Sequence, residues 1–226
     1  MKRILLLITV VLVGLLAFLW LWPLNLGRIN DIAATSRPAQ SYEEALARED
    51  NLPGDGFEGD MTVLNPVCPT QIRTHGQPTE RVIVFFHGYT TCPAQFNLLA
   101  DELFAHGHNI LSVRLPRHGY QDRLTDDLQN MTAEELAETA TEAVDIARGL
   151  GTSVTVVGFS TGGTMASWLA QTRADVDKAV IISPFYGLEM FPGWTSRPVA
   201  TLTLTLPNWY MWWNTAVEDN DPNSPP

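Results

Sequence analysis

The stretch SVTVVGFSTGGTMASWLA, residues 153–170, changes its hydrophobic pattern in the middle. Its first five residues are a β-branched run typical of a buried strand, and its last ten are typical of a helix. Between them, Gly158, Ser160 and Gly162 form the pattern G-x-S-x-G. Small residues on both sides allow a tight strand-to-helix turn that exposes the serine hydroxyl. The pattern predicts a nucleophile at Ser160; a glycine-rich turn without chemistry is the alternative.

The rest of the chain alternates in the same way between apolar runs and amphipathic segments. This alternation predicts an α/β fold with a mostly parallel sheet and flanking helices. Strands are predicted at 61–67, 70–75, 81–86, 109–115, 153–158 and 178–185, and helices at 94–107, 131–151 and 161–173.

A second loop suggests how negative charge on a reacting carbonyl oxygen would be stabilised. FFHGYTT, residues 85–91, stands directly after a predicted strand. Gly88 permits close approach of the backbone, so the N–H of Tyr89 is the expected oxyanion donor. The N–H of Thr161 is its expected partner, at the amino end of the following helix. We expect His87 to order the loop by hydrogen bonding and not to act as a base.

The amino terminus has the composition of a membrane anchor. Residues 4–22 carry no charge and are long enough to cross a bilayer as a helix. Lys2 and Arg3 precede them, which predicts a cytoplasmic amino terminus and an extracytoplasmic carboxyl-terminal domain. A cleaved signal, with Ala33-Ala34 near the cleavage point and a secreted product, is the alternative.

Charge and cysteine content narrow the possible partners. The net charge is −11, which argues against nucleic acid and anionic lipid surfaces. The two cysteines, Cys68 and Cys92, suit a disulfide in an oxidising compartment, or else are two separate small apolar residues. Neither belongs to a CxxC motif, so no metal site is expected.

We divide the chain into four segments. Residues 1–28 are the cytoplasmic stub and anchor, 29–60 a linker with one possible short helix, and 61–185 the α/β core. Residues 186–226 are rich in Trp and Pro and follow the carboxyl end of a strand, where open α/β sheets bind ligands. This last segment is expected to be a cap over a site, a packing segment or a second contact with the bilayer, and TLTLTL at 201–206 also allows an amphipathic strand.

These motifs resemble the α/β-hydrolase fold family, most closely its carboxylesterase and monoacylglycerol-lipase-like branch. The resemblance rests on VIVFFHGYTTCPAQF, LSVRLPRHGYQ, VTVVGFSTGGTMASWLA and AVIISPF, within residues 61 to 190. It implies acyl transfer from a small-molecule ester or lipid to water through Ser160, with Tyr89 and Thr161 as oxyanion donors. It implies neither a metal nor an organic cofactor, and it does not separate an esterase from a peptidase.

The chain departs from the family where the triad should be completed. In that family an acid and then a histidine follow the serine, whereas all five histidines here precede Ser160. We expect a carboxyl-terminal truncation that leaves the 226-residue chain inactive or nearly so. A substitute base, His118 with Asp122, is one alternative. A non-catalytic, hydrolase-like protein that binds an apolar ligand or partner is the other.

Overall fold

The apolar runs predicted as strands form one five-stranded sheet in the computed structural model of the chain. The strand order is β1-β3-β2-β4-β5; β1 pairs antiparallel with β3, and the other neighbours are parallel. The strands are β1 Gln71–Arg73, β2 Thr79–Phe86, β3 Asn109–Val113, β4 Gly151–Phe159 and β5 Lys178–Ile182. The predicted fold class is confirmed.

Seven α-helices accompany the sheet in the part of the chain that the structure describes. They are α1 Lys2–Leu21, α2 Gly27–Ala34, α3 Tyr42–Ala47, α4 Asn97–Ala105, α5 Ala133–Leu150, α6 Thr161–Thr172 and α7 Ser196–Thr205. The described residues are 2–22, 27–49, 52, 64–122, 125–187 and 192–206.

The chain forms two compact units. The first contains α1 and α7, from Met1–Leu26 and Tyr186–Trp209. The second contains the sheet and α2 to α6, from Gly27–Phe185, together with Tyr210–Pro226, which lie outside the described residues.

The central strands β2, β3 and β4 are largely buried on both faces, which explains their apolar runs, whereas the edge strand β5 is mostly exposed. Along β2, Val82, Val84 and Phe86 join the larger core against α5 and α6. Ile83 and Phe85 point the other way and join the smaller core against α4. Because neighbouring residues of a strand face opposite sides, a sheet with two covered faces needs an unbroken apolar run.

Long helix α5 is built by signals that the sequence shows clearly. Thr132 caps its amino end, and its hydroxyl accepts the N–H of Glu135 at 3.1 Å. The Glu135 carboxylate accepts the N–H of Thr132 in return, at 2.8 Å, which completes the predicted capping box.

Part of the segment predicted as a linker packs against this helix. Helices α2 and α3 both contact α5, and Leu52 is fully buried. The contact depends on the buried Asp145 of α5, whose carboxylate bonds to residues 36 and 37. Its carboxylate accepts the Ser36 hydroxyl at 2.8 Å and the Arg37 N–H at 2.6 Å. Polar residues between 36 and 48 take part in these contacts with α5. The same polar composition is what predicts a linker from the sequence.

Arg173, at the end of α6, completes the network. Its Nη2 donates to Asp145 at 2.6 Å and to Asp175 at 2.7 Å. The Arg173 and Asp145 side chains are each 3% exposed, so each buried charge is stabilised by the opposite charge of the other.

Two sequence alternatives have a structural outcome. TLTLTL at 201–206 lies in and just after α7 and is not a strand, and the Thr205 hydroxyl donates to the Thr201 carbonyl one turn back, at 2.7 Å. In the predicted strand at 61–67, Leu64 forms one isolated bridge with Tyr120, and residues 61–63 lie outside the described residues.

Replacing Asp145 with alanine should destabilise the second unit strongly. The change removes one of the two carboxylates that pair with the buried Arg173 guanidinium and leaves Asp175 as the other. Breaking a buried ion pair from one side costs about 3–5 kcal/mol, and the remaining Asp175 pair should hold the loss to the lower part of that range. Denaturant unfolding of the full chain in detergent micelles measures the free energy of unfolding.

Asp101→Ala is the matched control, since Asp101 pairs with Arg73 at 3.5 Å but its side chain is 66% exposed. Exposed pairs contribute about 0–1 kcal/mol, so this variant should unfold almost as the parent does. Equal losses in the two variants would contradict the buried network.

Candidate active site

Ser160 stands at the sharp turn between β4 and α6. Its backbone has φ 52° and ψ −113°, a conformation that residues with a side chain rarely adopt. Such a turn raises the serine side chain above the carboxyl edge of the sheet and places it at the amino end of the following helix.

Hydrogen bonds to the neighbouring strand hold this turn in place. The N–H of Ser160 donates to the carbonyl of Ile182 at 3.0 Å. The carbonyl of Ser160 accepts the N–H of Thr164 at 3.0 Å and the N–H of Phe185 at 3.3 Å. The main-chain polar groups of Ser160 are therefore all used by the fold, which leaves its hydroxyl as the reactive group.

The two glycines of the motif are required by close backbone contacts. A Cβ at Gly158 would lie 2.0 Å from the carbonyl oxygen of Gly162. A Cβ at Gly162 would lie 2.0 Å from the carbonyl oxygen of Phe86. The N–H of Gly162 also donates to the carbonyl of His87 at 3.1 Å. The serine turn is thus packed directly on the end of β2.

This packing places the second loop beside the serine. A Cβ at Gly88 would lie 3.6 Å from the Cβ of Ser160, so the loop after β2 and the serine turn are in van der Waals reach. The predicted oxyanion donor Tyr89 follows Gly88 directly. The structure therefore brings together Ser160, Thr161, Gly88 and Tyr89, as the motifs predict.

The orientation of the Tyr89 N–H follows from the peptide bond that precedes it. The carbonyl of Gly88 accepts Nδ1–H of His87 at 2.8 Å and the N–H of Thr91 at 3.3 Å. All described peptide bonds are trans, so the Tyr89 N–H points opposite to that carbonyl. The donors that His87 and Thr91 place on the carbonyl oxygen therefore turn the Tyr89 N–H away from them, which is the orientation that an oxyanion donor needs.

Both ring nitrogens of His87 are hydrogen-bonded to the main chain and hold this loop. Its ring is buried, its Nδ1 lies 2.8 Å from the carbonyl of Gly88, and its Nε2 accepts the N–H of Leu115 at 3.0 Å. Burial lowers the pKa of His87 to about 3, with smaller contributions from His118 and Arg114. The ring is neutral at physiological pH and has no free nitrogen with which to accept a proton from Ser160.

His118 supports the same loop from the other side. Its Nε2 lies 2.6 Å from the carbonyl of Tyr89 and its Nδ1 lies 2.7 Å from the carbonyl of Pro116. Burial lowers the pKa of His118, and the two carbonyl contacts oppose that shift. Both nitrogens therefore face main-chain oxygens, so the substitute base proposed with Asp122 has no support from the geometry.

The other three histidines lie at the opposite edge of the sheet. His106 and His108 precede β3, whose first residue is Asn109. The N–H of His75 donates to the side chain of Asn109 at 2.9 Å, which places it at that same edge. Ser160 follows the carboxyl end of a parallel strand, so these rings are a strand length away from it.

Gln95 is a supporting residue that the sequence did not reveal. Its Oε1 accepts the N–H of Gly88 at 3.0 Å and the hydroxyl of Thr91 at 2.8 Å. The residue lies in the 3₁₀ helix Pro93–Phe96, where nothing in the local pattern separates it from any other polar residue.

A disulfide closes the loop. Cys68 and Cys92 are bonded, with their Cα atoms 5.3 Å apart, and both side chains are buried. The pairing that the sequence allowed is present. Among the described residues, no group of three His, Cys, Asp or Glu side chains is arranged to hold a metal ion.

Comparison with known proteins places this geometry in context. A profile described as "Alpha/beta hydrolase family" matches residues 83–222, more than half of the chain. No curated protein matches the chain.

Three solved structures illustrate the similarity. That of LipS and LipT, two metagenome-derived lipolytic enzymes, has 19% identity and a TM-score of 0.44, over 51% of this chain and 45% of the other. MenH from S. aureus has 20% identity and a TM-score of 0.41, over 54% and 44%. An esterase of Pyrococcus furiosus has 19% identity and a TM-score of 0.37, over 56% and 52%. The chain spans about half the length of these structures.

The disulfide should stabilise the loop that carries Tyr89. Its cysteines are 24 residues apart. A cross-link that closes a loop of this length stabilises the folded protein by about 3 kcal/mol, because it lowers the conformational entropy of the unfolded chain. The double variant Cys68→Ala/Cys92→Ala should lose this amount in denaturant unfolding of the full chain. A variant as stable as the parent would contradict it.

Acid should destabilise the protein through His87. The pKa of this ring falls from 6.5 to about 3 on folding, so the unfolded chain binds the proton first and stability falls as pH drops between those values. Between pH 7 and pH 5 the loss from this ring is about 2 kcal/mol. Between pH 7 and pH 5, the free energy of unfolding of His87→Asn should therefore fall by about 2 kcal/mol less than that of the parent. An equal fall in both proteins would contradict the buried neutral ring.

Proposed function

The chain belongs to the α/β-hydrolase family, and on this premise we propose that Ser160 is the nucleophile of a membrane-anchored serine hydrolase that cleaves carboxylic esters. One observation carries the proposal. The positive φ of Ser160 at the β4–α6 turn is a strained conformation that the fold maintains with hydrogen bonds and glycine contacts on both sides.

The reaction that suits this arrangement is acyl transfer to water. The Ser160 hydroxyl attacks the ester carbonyl and gives its proton to a base, while the carbonyl oxygen becomes an oxyanion. The N–H groups of Tyr89 and Thr161 stabilise that charge. The tetrahedral species then expels the protonated alcohol and leaves an acyl-serine. Water attacks this ester in the same way, releases the acid and restores the hydroxyl.

The base in this proposal is none of the five histidines of the chain. His87 and His118 use their ring nitrogens on main-chain groups, and the other three lie at the far edge of the sheet. Without a base, the oxyanion hole and substrate binding alone give about 10³–10⁴-fold acceleration over water. We therefore expect the 226-residue chain alone to hydrolyse esters very slowly.

Exposed aromatic residues beside Ser160 support an apolar acyl group in the substrate. Phe185 donates its N–H to the Ser160 carbonyl and is 55% exposed. Tyr89 carries the proposed oxyanion donor and is also exposed. Apolar side chains next to the reacting atom would bind a hydrocarbon chain and exclude water from the acyl-enzyme.

Helix α1 supports a membrane location. It is the one described helix long and apolar enough to cross a bilayer, with a mean hydropathy of 3.0, although a signal sequence near the amino terminus has the same character. Lys2 and Arg3 at its start favour a cytoplasmic amino terminus. The disulfide is consistent with a domain on the oxidising side.

A second candidate is favoured by the state of the two buried histidines. The rings of His87 and His118 hold main-chain groups in place and do not act as a base. This arrangement would suit a hydrolase-like protein that binds an apolar ligand or partner without cleaving it. Under this alternative the exposed aromatic residues near Ser160 form the binding surface, and the serine remains unreactive.

Labelling of the natural protein with a fluorophosphonate probe distinguishes the two. Membranes that contain it are treated with the probe, and the intact mass and the labelled residue are then determined. The proposal predicts a protein heavier than 25.0 kDa with the probe on Ser160. An unlabelled protein of 25.0 kDa would contradict it and favour the binding function.

Two serine variants provide the control. Ser160→Ala should abolish labelling, whereas Ser183→Ala should keep it. Ser183 is a matched control because it is exposed and, like Ser160, has a positive φ. Loss of labelling in Ser183→Ala alone would overturn the assignment of the nucleophile.

A further inference from the structure

Helix α7 makes specific contacts with the carboxyl end of α1. The Thr201 hydroxyl donates to the carbonyl of Leu19 at 3.1 Å. The Arg197 guanidinium donates through Nε to the carbonyl of Trp20 and through Nη2 to the carbonyl of Trp22, the latter at 3.3 Å. Arg197 and Thr201 are four residues apart, so they lie on one face of α7, and that face is turned to α1.

These bonds satisfy main-chain carbonyls at the end of α1 that have no partner within the helix. The last four carbonyls of a helix have no partner within the helix, and in an apolar medium each unpaired group costs several kcal/mol. Arg197 and Thr201 satisfy such groups at the end of α1. The positive charge of Arg197 also stands where the helix dipole is negative, which is favourable.

Tryptophan residues gather at the same level of the unit. The rings of Trp20 and Trp194 are stacked, with centroids 6.2 Å apart and planes 11° apart. Trp22 and Trp194 are both largely exposed. Tryptophan concentrates at the boundary between the hydrocarbon core and the headgroups, since its ring is apolar and its N–H is polar.

The end of α7 carries two apolar, exposed side chains on another face. Leu202, in α7, and Leu206, the residue directly after the helix, are four residues apart and are 40% and 56% exposed. This face is separate from the Arg197–Thr201 row that faces α1, because successive residues of a helix point about 100° apart. In water these leucines would be unfavourably placed, whereas an interfacial helix buries such side chains among lipid chains.

The charge of this unit differs from that of the whole chain. Its described residues carry three basic side chains, Lys2, Arg3 and Arg197, and no aspartate or glutamate. The chain has 25 acidic residues, and Glu189 is the only acid in the sequence of this unit. The acids that argue against a lipid surface therefore lie elsewhere in the chain.

We propose that α7 lies in the headgroup region of a phospholipid bilayer, docked on the end of α1 by Arg197 and Thr201. The proposal rests on the anchor role of α1 given above. It adds a second membrane contact, in the segment that directly follows the sheet and Phe185. Its partner is the lipid surface, and its footprint is Trp22, Trp194, Leu202 and Leu206.

Site-directed spin labelling of the full chain in phosphatidylcholine vesicles tests this directly. A nitroxide is attached to the variant Leu202→Cys, and the native cysteines do not react because they form the disulfide. Collision rates with oxygen, which concentrates in lipid, and with a water-soluble nickel complex are then compared. Labels at Leu12 in α1 and at Leu98, which is 89% exposed on α4, give the lipid and water references.

We expect the oxygen-to-nickel ratio at position 202 to lie between the two references, several-fold above that at position 98. A ratio equal to that at position 98 would overturn the proposal, and so would shielding from both reagents, which indicates a protein contact. If position 12 is also water-accessible, then α1 is not inserted and the anchor fails as well. Labelling of Ser160 by the fluorophosphonate is independent of all these outcomes.

The docking contacts are tested by two variants that carry the same label at position 202. Arg197→Ala removes the donors to Trp20 and Trp22, so the ratio should fall toward the water reference. Arg197→Lys keeps the charge and a donor and should retain most of the parental value. An unchanged ratio in Arg197→Ala would overturn the docking of α7 on α1.

Discussion

The close contact between β2 and β4 at their carboxyl ends is the constraint on which the site depends. In the parallel register, Phe86 stands opposite Gly158, so both strands reach the edge of the sheet together. Only a glycine at 158 and at 162 lets the serine turn settle on the end of β2. Three features accompany that contact: the strained φ of Ser160, the hydrogen bond from Gly162 to His87, and the placement of Gly88 beside Ser160.

The loop beside the serine is organised before any substrate arrives. The Gly88 carbonyl, the Gly88 N–H and the Tyr89 carbonyl all have partners, supplied by His87, Gln95 and His118. An oxyanion donor is effective when it is already oriented, since no reorganisation is then required as charge develops. The burial of two histidines close to Ser160 is thus explained by main-chain orientation.

The sequence predicts the fold well because the central strands of the sheet are covered on both faces, which produces unbroken apolar runs such as VIVFF at 82–86. It predicts the sharp turn at Ser160 and the loop that carries Tyr89, because the backbone geometry there requires glycine and glycines are visible in the sequence. It does not predict Gln95, nor the packing of α2 and α3 on α5. Those depend on side chains such as Asp145 that meet partners about a hundred residues away. Thr and Leu alternate at 201–206 in a way that suits a strand, yet contacts with α1 favour the helix.

The ring of His87 also limits which residues this position accepts. It joins the loops after β2 and β3 by donating to a carbonyl on one side and accepting an N–H on the other. Rotating the ring by half a turn would place carbon atoms where the two nitrogens now stand, so only one ring orientation and one tautomer fit. Lysine and arginine cannot accept, carboxylates cannot donate when ionised, and amides are too short to span both partners. Variation during evolution should therefore be narrow at position 87, because the junction between the two loops needs one donor and one acceptor at the spacing of an imidazole ring.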